Sequence, residues 1–201
     1  SGEKEIKIAI PDLWPKGIVP YRFDGISNEQ EEAVEKIARD LKAKNQIQLV
    51  PYNSSLHKSW VVFKSGGQHC YSQVGHRRGE SIISLNSDCR FKEIYHELFH
   101  LLGFFHEQNR FDRDDYLQII WENINEEHWT QFERFAKESF PPPLRNTRFS
   151  YDTFMLYPST SFSNTTDYSI VTIDGTAYLT HDYPTALDFA RLKQLYRQEI
   201  E

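Results

Sequence analysis

Residues 96–107 read His96-Glu97-Leu98-Phe99-His100-Leu101-Leu102-Gly103-Phe104-Phe105-His106-Glu107. On an α-helix, at ~100° per residue, His100 stands ~40° around from His96 and ~6 Å along the axis, so the two imidazoles can grip one ion. Glu97 then points toward the space beside that ion. If the helix ran on, His106 would lie ~240° around from His100, on the wrong side, and ~9 Å further along. The chain therefore has to leave the helix between them. Gly103 is the residue that can do so, because glycine enters the left-handed conformation that commonly ends helices without a side-chain penalty.

Three neutral imidazoles, His96, His100 and His106, with an open coordination position suit one catalytic Zn2+. Glu97 is placed to take a proton from attacking water and later pass it to a leaving amine. The short pattern H-E-x-x-H alone is also that of an ordinary amphipathic helix with a surface ion pair; the added glycine and third histidine favour the metal site. His57, His69, His76, His128 and His181 have no ligand spacing and read as surface or hydrogen-bonding residues.

Working outward, the metal helix is expected over residues 91–104. Upstream, Ser27 with Gln30 forms a capping-box pattern ahead of Val34, Ile37, Ala38 and Leu41, which recur at helical spacing. Short β-rich runs at 18–23, 47–50, 60–63, 70–74 and 81–85 are separated by Gly66-Gly67, Gly75 and Gly79. That order predicts a twisted sheet packed on helices, an α+β architecture. Downstream, a third helix is expected over 126–136 and a last one over 183–198, where Leu187, Ala190, Leu195 and Tyr196 form an apolar stripe. Between them Pro141-Pro142-Pro143 pushes the chain into extended conformation, so this half reads as loop-rich.

The chain's 201 residues suit a single domain. A formal net charge of −6 offers no electrostatic footprint for nucleic acid. No apolar run is long enough to span a membrane, and no signal-peptide pattern opens the chain. Ser1-Gly2 has the look of a cloning remnant, and an exported protein would carry its leader ahead of this sequence.

The sequence resembles the astacin family of zinc endopeptidases, within the metzincin clan. The carriers are the zinc motif and its continuation His106-Glu107-Gln108-Asn109-Arg110-Phe111-Asp112-Arg113, which follows the astacin pattern H-E-x-x-R-x-D-R. Others are Trp14 with Val19-Pro20-Tyr21, Cys70-Tyr71-Ser72-Gln73-Val74-Gly75, and Tyr157 followed by Ser161-Phe162-Ser163. The resemblance implies one two-lobed catalytic domain over residues 1–201. The upper lobe, about 1–106, would carry a twisted five-stranded sheet and two long helices above a cleft; the lower lobe, about 107–201, would be irregular with a C-terminal helix.

It also implies roles. Met155, the chain's one methionine, would be the apolar floor beneath the histidines. Tyr157 would serve both as a further zinc ligand and, swung away, as a hydrogen-bond donor to the tetrahedral intermediate. Cys70 and Cys89 would form one of the family's two disulfides, against the alternative of free thiols in a cytosolic enzyme. Leu156 stands where the family most often has histidine. With only two cysteines the second disulfide has no counterpart, which is compatible with a bacterial-type, exported member. Glu107 matches the residue that meets the new amino terminus of mature members; this chain starts about four residues earlier than such a mature end, so the resemblance alone does not imply the latch.

The expected activity is hydrolysis of peptide bonds in proteins by a monomeric, secreted enzyme. The substrate would add a strand to the edge formed by Cys70, Tyr71, Ser72, Gln73 and Val74. A zinc-stabilised binding module without catalysis and a zinc hydrolase of non-peptide substrates stay as alternatives; Glu97 weighs against the first, since a structural site needs no general base. Residues 174–185, a wall of the leaving-group pocket on this reading, hold no Lys or Arg, which disfavours acidic side chains there.

Overall fold

The computed structural model of the chain describes residues 5–201; the Ser1-Gly2 pair lies outside them. In chain order the elements are β1 (Glu5–Ile6), β2 (Ile18–Asp24), α1 (Asn28–Asn45), β3 (Gln48–Pro51), β4 (Ser59–Ser65), β5 (Tyr71–Ser72), β6 (Gly79–Leu85), α2 (Phe91–Leu101), β7 (Leu117–Ile119), β8 (Arg134–Phe135), α3 (Pro142–Arg145), β9 (Ile170–Thr172) and α4 (Ala186–Ile200). Two compact units are present, one of residues 11–104 with 189–201, the other of 105–188 with the first described residues.

The first unit holds a five-stranded sheet in the order β3-β2-β4-β6-β5. The first four strands pair in parallel and β5 runs antiparallel to β6, so the sheet is mixed. Helix α1 starts at Ser27, whose hydroxyl accepts the Gln30 amide while the Gln30 side chain accepts the Ser27 amide, leaving neither donor orphaned. Its buried stripe of Val34, Ile37 and Leu41 joins Val61, Phe63, Ile83 and Leu85 of the sheet and Ile94, Leu98 and Leu101 of α2 in the core. Asp40 accepts the Tyr95 hydroxyl at 2.6 Å, an α1–α2 tie.

The second unit is mostly short 3-10 turns and loops around a core of Leu117, Ile124, Phe132, Phe149, Leu156 and Ile170. Two small ladders brace it, β1 with β8 and β7 with β9.

Five expectations are corrected. Residues 126–132 form a 3-10 helix, not an α-helix, and 134–135 a strand. The cause is competition for carbonyls: Asn109 donates to those of Gln131 and Glu133, and Arg113 to that of Phe132, so they are turned away from an α-helical ladder. The proline run does not stay extended; Pro142 opens the one-turn α3, where a missing N–H costs nothing. The edge ladder spans only Tyr71 and Ser72, because the Gln73 side chain donates to the Gly75 carbonyl and the Ser81 hydroxyl and the chain turns away at Gly75. Helix α2 stops at Leu101, three residues short of the expected end, and α4 begins at Ala186 behind a reciprocal Thr185–Asp188 cap.

Candidate metal centre

The end of α2 is held by groups remote in sequence. The Trp14 indole donates to the Leu101 carbonyl at 3.0 Å, the Tyr196 hydroxyl donates to that of Leu102 at 2.9 Å, and the Gly75 amide donates to that of His100 at 2.9 Å. Carbonyls that a helix end leaves orphaned are thereby satisfied without water. The chain leaves through Gly103 at φ +114°, and the Phe104 amide closes back on Phe99 in a Schellman-type bond. The backbone calls for glycine, and a Cβ at Gly103 would stand 3.2 Å from Leu13 Cδ2, close enough that the leucine would have to give way.

The donor nitrogens of His96, His100 and His106 all lie within 4.8 Å of one another. His100 is buried, and its Nδ1 sits 2.7 Å from the Phe104 carbonyl. A carbonyl can only accept, so Nδ1 carries the proton and Nε2 presents the lone pair. Burial pulls the His100 pKa down to about 4, so the ring is neutral at physiological pH. Three convergent imidazoles, one of them tautomer-locked, fit Zn2+. Glu97, on the same helix, is buried; desolvation lifts its pKa to about 7, opposed by a hydrogen bond from the Ser72 amide of β5.

Past His106 the chain is tightly braced. The Glu107 amide donates to the Met155 carbonyl at 2.9 Å, and the Glu107 carboxylate accepts the Ser150 amide. Arg110 makes a two-pronged bond to Asp112 and reaches the Thr147 carbonyl; Arg113 donates to the Gln108 and Phe132 carbonyls, both at 2.7 Å. The arginines of the extended motif thus act as internal struts. Met155 is buried, and Leu156 packs in the second unit's core. The Tyr157 ring lies 4.4 Å from that of His106, and its hydroxyl points to Gln131 Oε1 at 3.4 Å. Cys70 and Cys89 are joined by a disulfide, and the described residues hold no free cysteine.

Sequence reasoning missed Asp188, Gln108 and Tyr178, which contact the segment carrying Met155 and Tyr157. Only the Thr185-x-x-Asp188 pattern, a capping signal, could have drawn attention to one of them. Three of the other histidines have local roles: His57 accepts the Asn53 amide, His76 packs edge-on against Trp14, and His181 pairs with Asp152.

The family description "Astacin", a peptidase family, matches residues 7–197. Zinc metalloproteinase nas-14 of Caenorhabditis elegans is 31% identical over 198 residues, covering 94% of this chain and 38% of that protein. Meprin A subunit beta of Homo sapiens is 39% identical over 161 residues, covering 79% of this chain and 22% of that protein. Among solved structures, high choriolytic enzyme 1, a hatching enzyme zinc-protease from Oryzias latipes, superposes with a TM-score of 0.82 at 27% identity, over 96% of this chain and 99% of that one. The chain belongs to the astacin family of peptidases. It spans well under half the length of these two curated relatives.

Proposed function

We propose that this chain is a zinc-dependent endopeptidase whose ion is held by His96, His100 and His106, with Glu97 as general base and acid and Tyr157 as a further ligand and oxyanion donor. The observation that carries the reading is the buried Glu97 carboxylate on the same helix as two of the three convergent imidazoles. A carboxylate held beside the metal site can accept a proton from attacking water and release it to an amine. Bound zinc would supply Lewis acidity toward water and the scissile carbonyl. Glu97 takes the proton as the carbon–oxygen bond forms and delivers it to the departing nitrogen. The Tyr157 phenol donates to the developing oxyanion, a contribution on the order of 3 kcal/mol for a preorganised donor.

The substrate is a peptide lying extended along β5, whose Tyr71 is 63% exposed at the sheet edge. Residues 174–185 form the leaving-group pocket wall, and the absence of Lys and Arg there turns selection away from Asp and Glu. The Cys70–Cys89 disulfide supports an oxidising, extracellular setting. Among the described residues no helix is long and apolar enough to cross a membrane. A monomeric, exported protein of bacterial type fits the single disulfide.

The test is cleavage of a denatured protein by the zinc-loaded chain. Chelation should stop it, and Glu97→Gln should retain one equivalent of zinc while cleavage falls by about 100-fold or more. Undiminished cleavage by Glu97→Gln would sink the reading.

A further inference from the structure

If Tyr157 serves as proposed, its phenol has to move while its attachment point stays still. Rocking the backbone by about 10° would displace a phenol oxygen by roughly 1 Å, enough to spoil a hydrogen bond to an oxyanion. The structure shows what prevents this. The Tyr157 amide donates to Gln108 Oε1 at 3.2 Å, and the Tyr157 carbonyl accepts the Tyr178 hydroxyl at 2.7 Å.

We infer that Gln108 and Tyr178 are positioning residues that clamp the Tyr157 main chain from both sides, so that switching is confined to its side chain. Both partners are themselves anchored. The Gln108 carbonyl is held by Arg113 at 2.7 Å; the Tyr178 ring packs against Tyr151, whose hydroxyl donates to the Tyr116 carbonyl at 2.6 Å.

Gln108 carries a second mark of the role. Its side chain is fully buried, yet Nε2 has no hydrogen-bond partner among the described residues. The amide cannot be turned over to help, because Nε2 would then face the Tyr157 N–H, donor against donor. A buried orphan donor is costly, so the position tolerates that cost in order to present Oε1 to Tyr157.

The inference rests on the proposed role of Tyr157, and the experiment separates the two. In the zinc-loaded protein, kcat and KM are measured for Tyr178→Phe, Tyr157→Phe and the double variant. Tyr178→Phe removes one oxygen and keeps the ring; it should lower kcat about 10-fold with KM within about twofold, as loss of one hydrogen bond allows. In the Tyr157→Phe background the same change should cost less than about twofold, because the phenol it positions is gone. Equal cost in both backgrounds overturns the clamp. Full kcat in Tyr157→Phe would instead overturn the role assigned to Tyr157.

A readout independent of turnover is the phenolate-to-copper charge-transfer band of the Cu2+-substituted protein. It should vanish in Tyr157→Phe and fall by at least about twofold in Tyr178→Phe; an unchanged band in Tyr178→Phe overturns the proposal. Should Tyr178→Phe fail to fold, Gln108→Met makes the same comparison from the amide side, with the same outcomes required.

Discussion

The Asp188 carboxylate accepts the Thr153 hydroxyl at 2.5 Å, and both groups are 1% exposed. Its second oxygen accepts the Phe154 amide at 3.1 Å and the Thr185 amide at 2.8 Å, while Thr153 Oγ1 in turn accepts the Met155 amide. One buried carboxylate thus ties the first turn of α4 to the turn bearing Met155. Asp188→Ala would orphan these donors, each worth about 1–3 kcal/mol when a charged acceptor is lost. We expect a loss of about 3 kcal/mol or more in urea unfolding, with Asp188→Asn intermediate because one accepting oxygen survives. Zinc should also bind more weakly, read by competition with a chromogenic chelator.

Metal removal sets two neighbours on α2 against each other. The fold raises Glu97 from the ordinary 4.5 to about 7, so this group's contribution is fully present below pH 4.5 and lost as pH rises through about 7. It lowers His100 from 6.5 to about 4, so that contribution is present above 6.5 and lost as pH falls through about 4. Glu97→Gln removes only the first. The metal-free variant should therefore melt above its metal-free parent at pH 8, by at most about 3 kcal/mol, with the gap closing near pH 4.5. A gap independent of pH would show that Glu97 is not strained by burial.

Gly103→Ala tests the exit from the helix. The φ of +114° is strained for an L-residue, and the new methyl would press on Leu13. A cost of roughly 1–3 kcal/mol is expected. Because Gly103 redirects the chain from His100 to His106, zinc affinity should fall further than stability alone explains. A variant that binds zinc as tightly as the parent would separate the turn from the site.

What the sequence revealed and what it hid divide along contact range. His96 and His100 share a helix face, Gly103 marks its end and Ser27 with Gln30 starts α1; all are readable because helical geometry converts spacing into direction. Trp14 and Tyr196, 182 residues apart, meet at the end of α2, and Asp188 reaches Thr153 across 35. Such pairs leave no periodic trace. The 126–136 segment misled for the same reason: Trp129, Phe132 and Ala136 recur at helical spacing, but side chains from the 109–113 segment claim the carbonyls the helix needed.

The Cys70–Cys89 disulfide joins the residue before β5 to the one before the Arg90 cap of α2. In the chain-entropy model, closing a loop of about 20 residues is worth about 3 kcal/mol. Its local effect is sharper, because β5 has only two ladder residues, Tyr71 and Ser72, and the Ser72 amide is the donor to Glu97. A Cys70→Ser/Cys89→Ser variant should lose about 3 kcal/mol of global stability. Its Tyr71 and Ser72 amides should also exchange faster, relative to the rest of the sheet, than the global loss predicts. KM for a peptide should rise with kcat changed less, since the β5 edge binds substrate on the proposed reading. Uniform acceleration of exchange, with KM unchanged, would mean that the disulfide stabilises the unit without organising its edge.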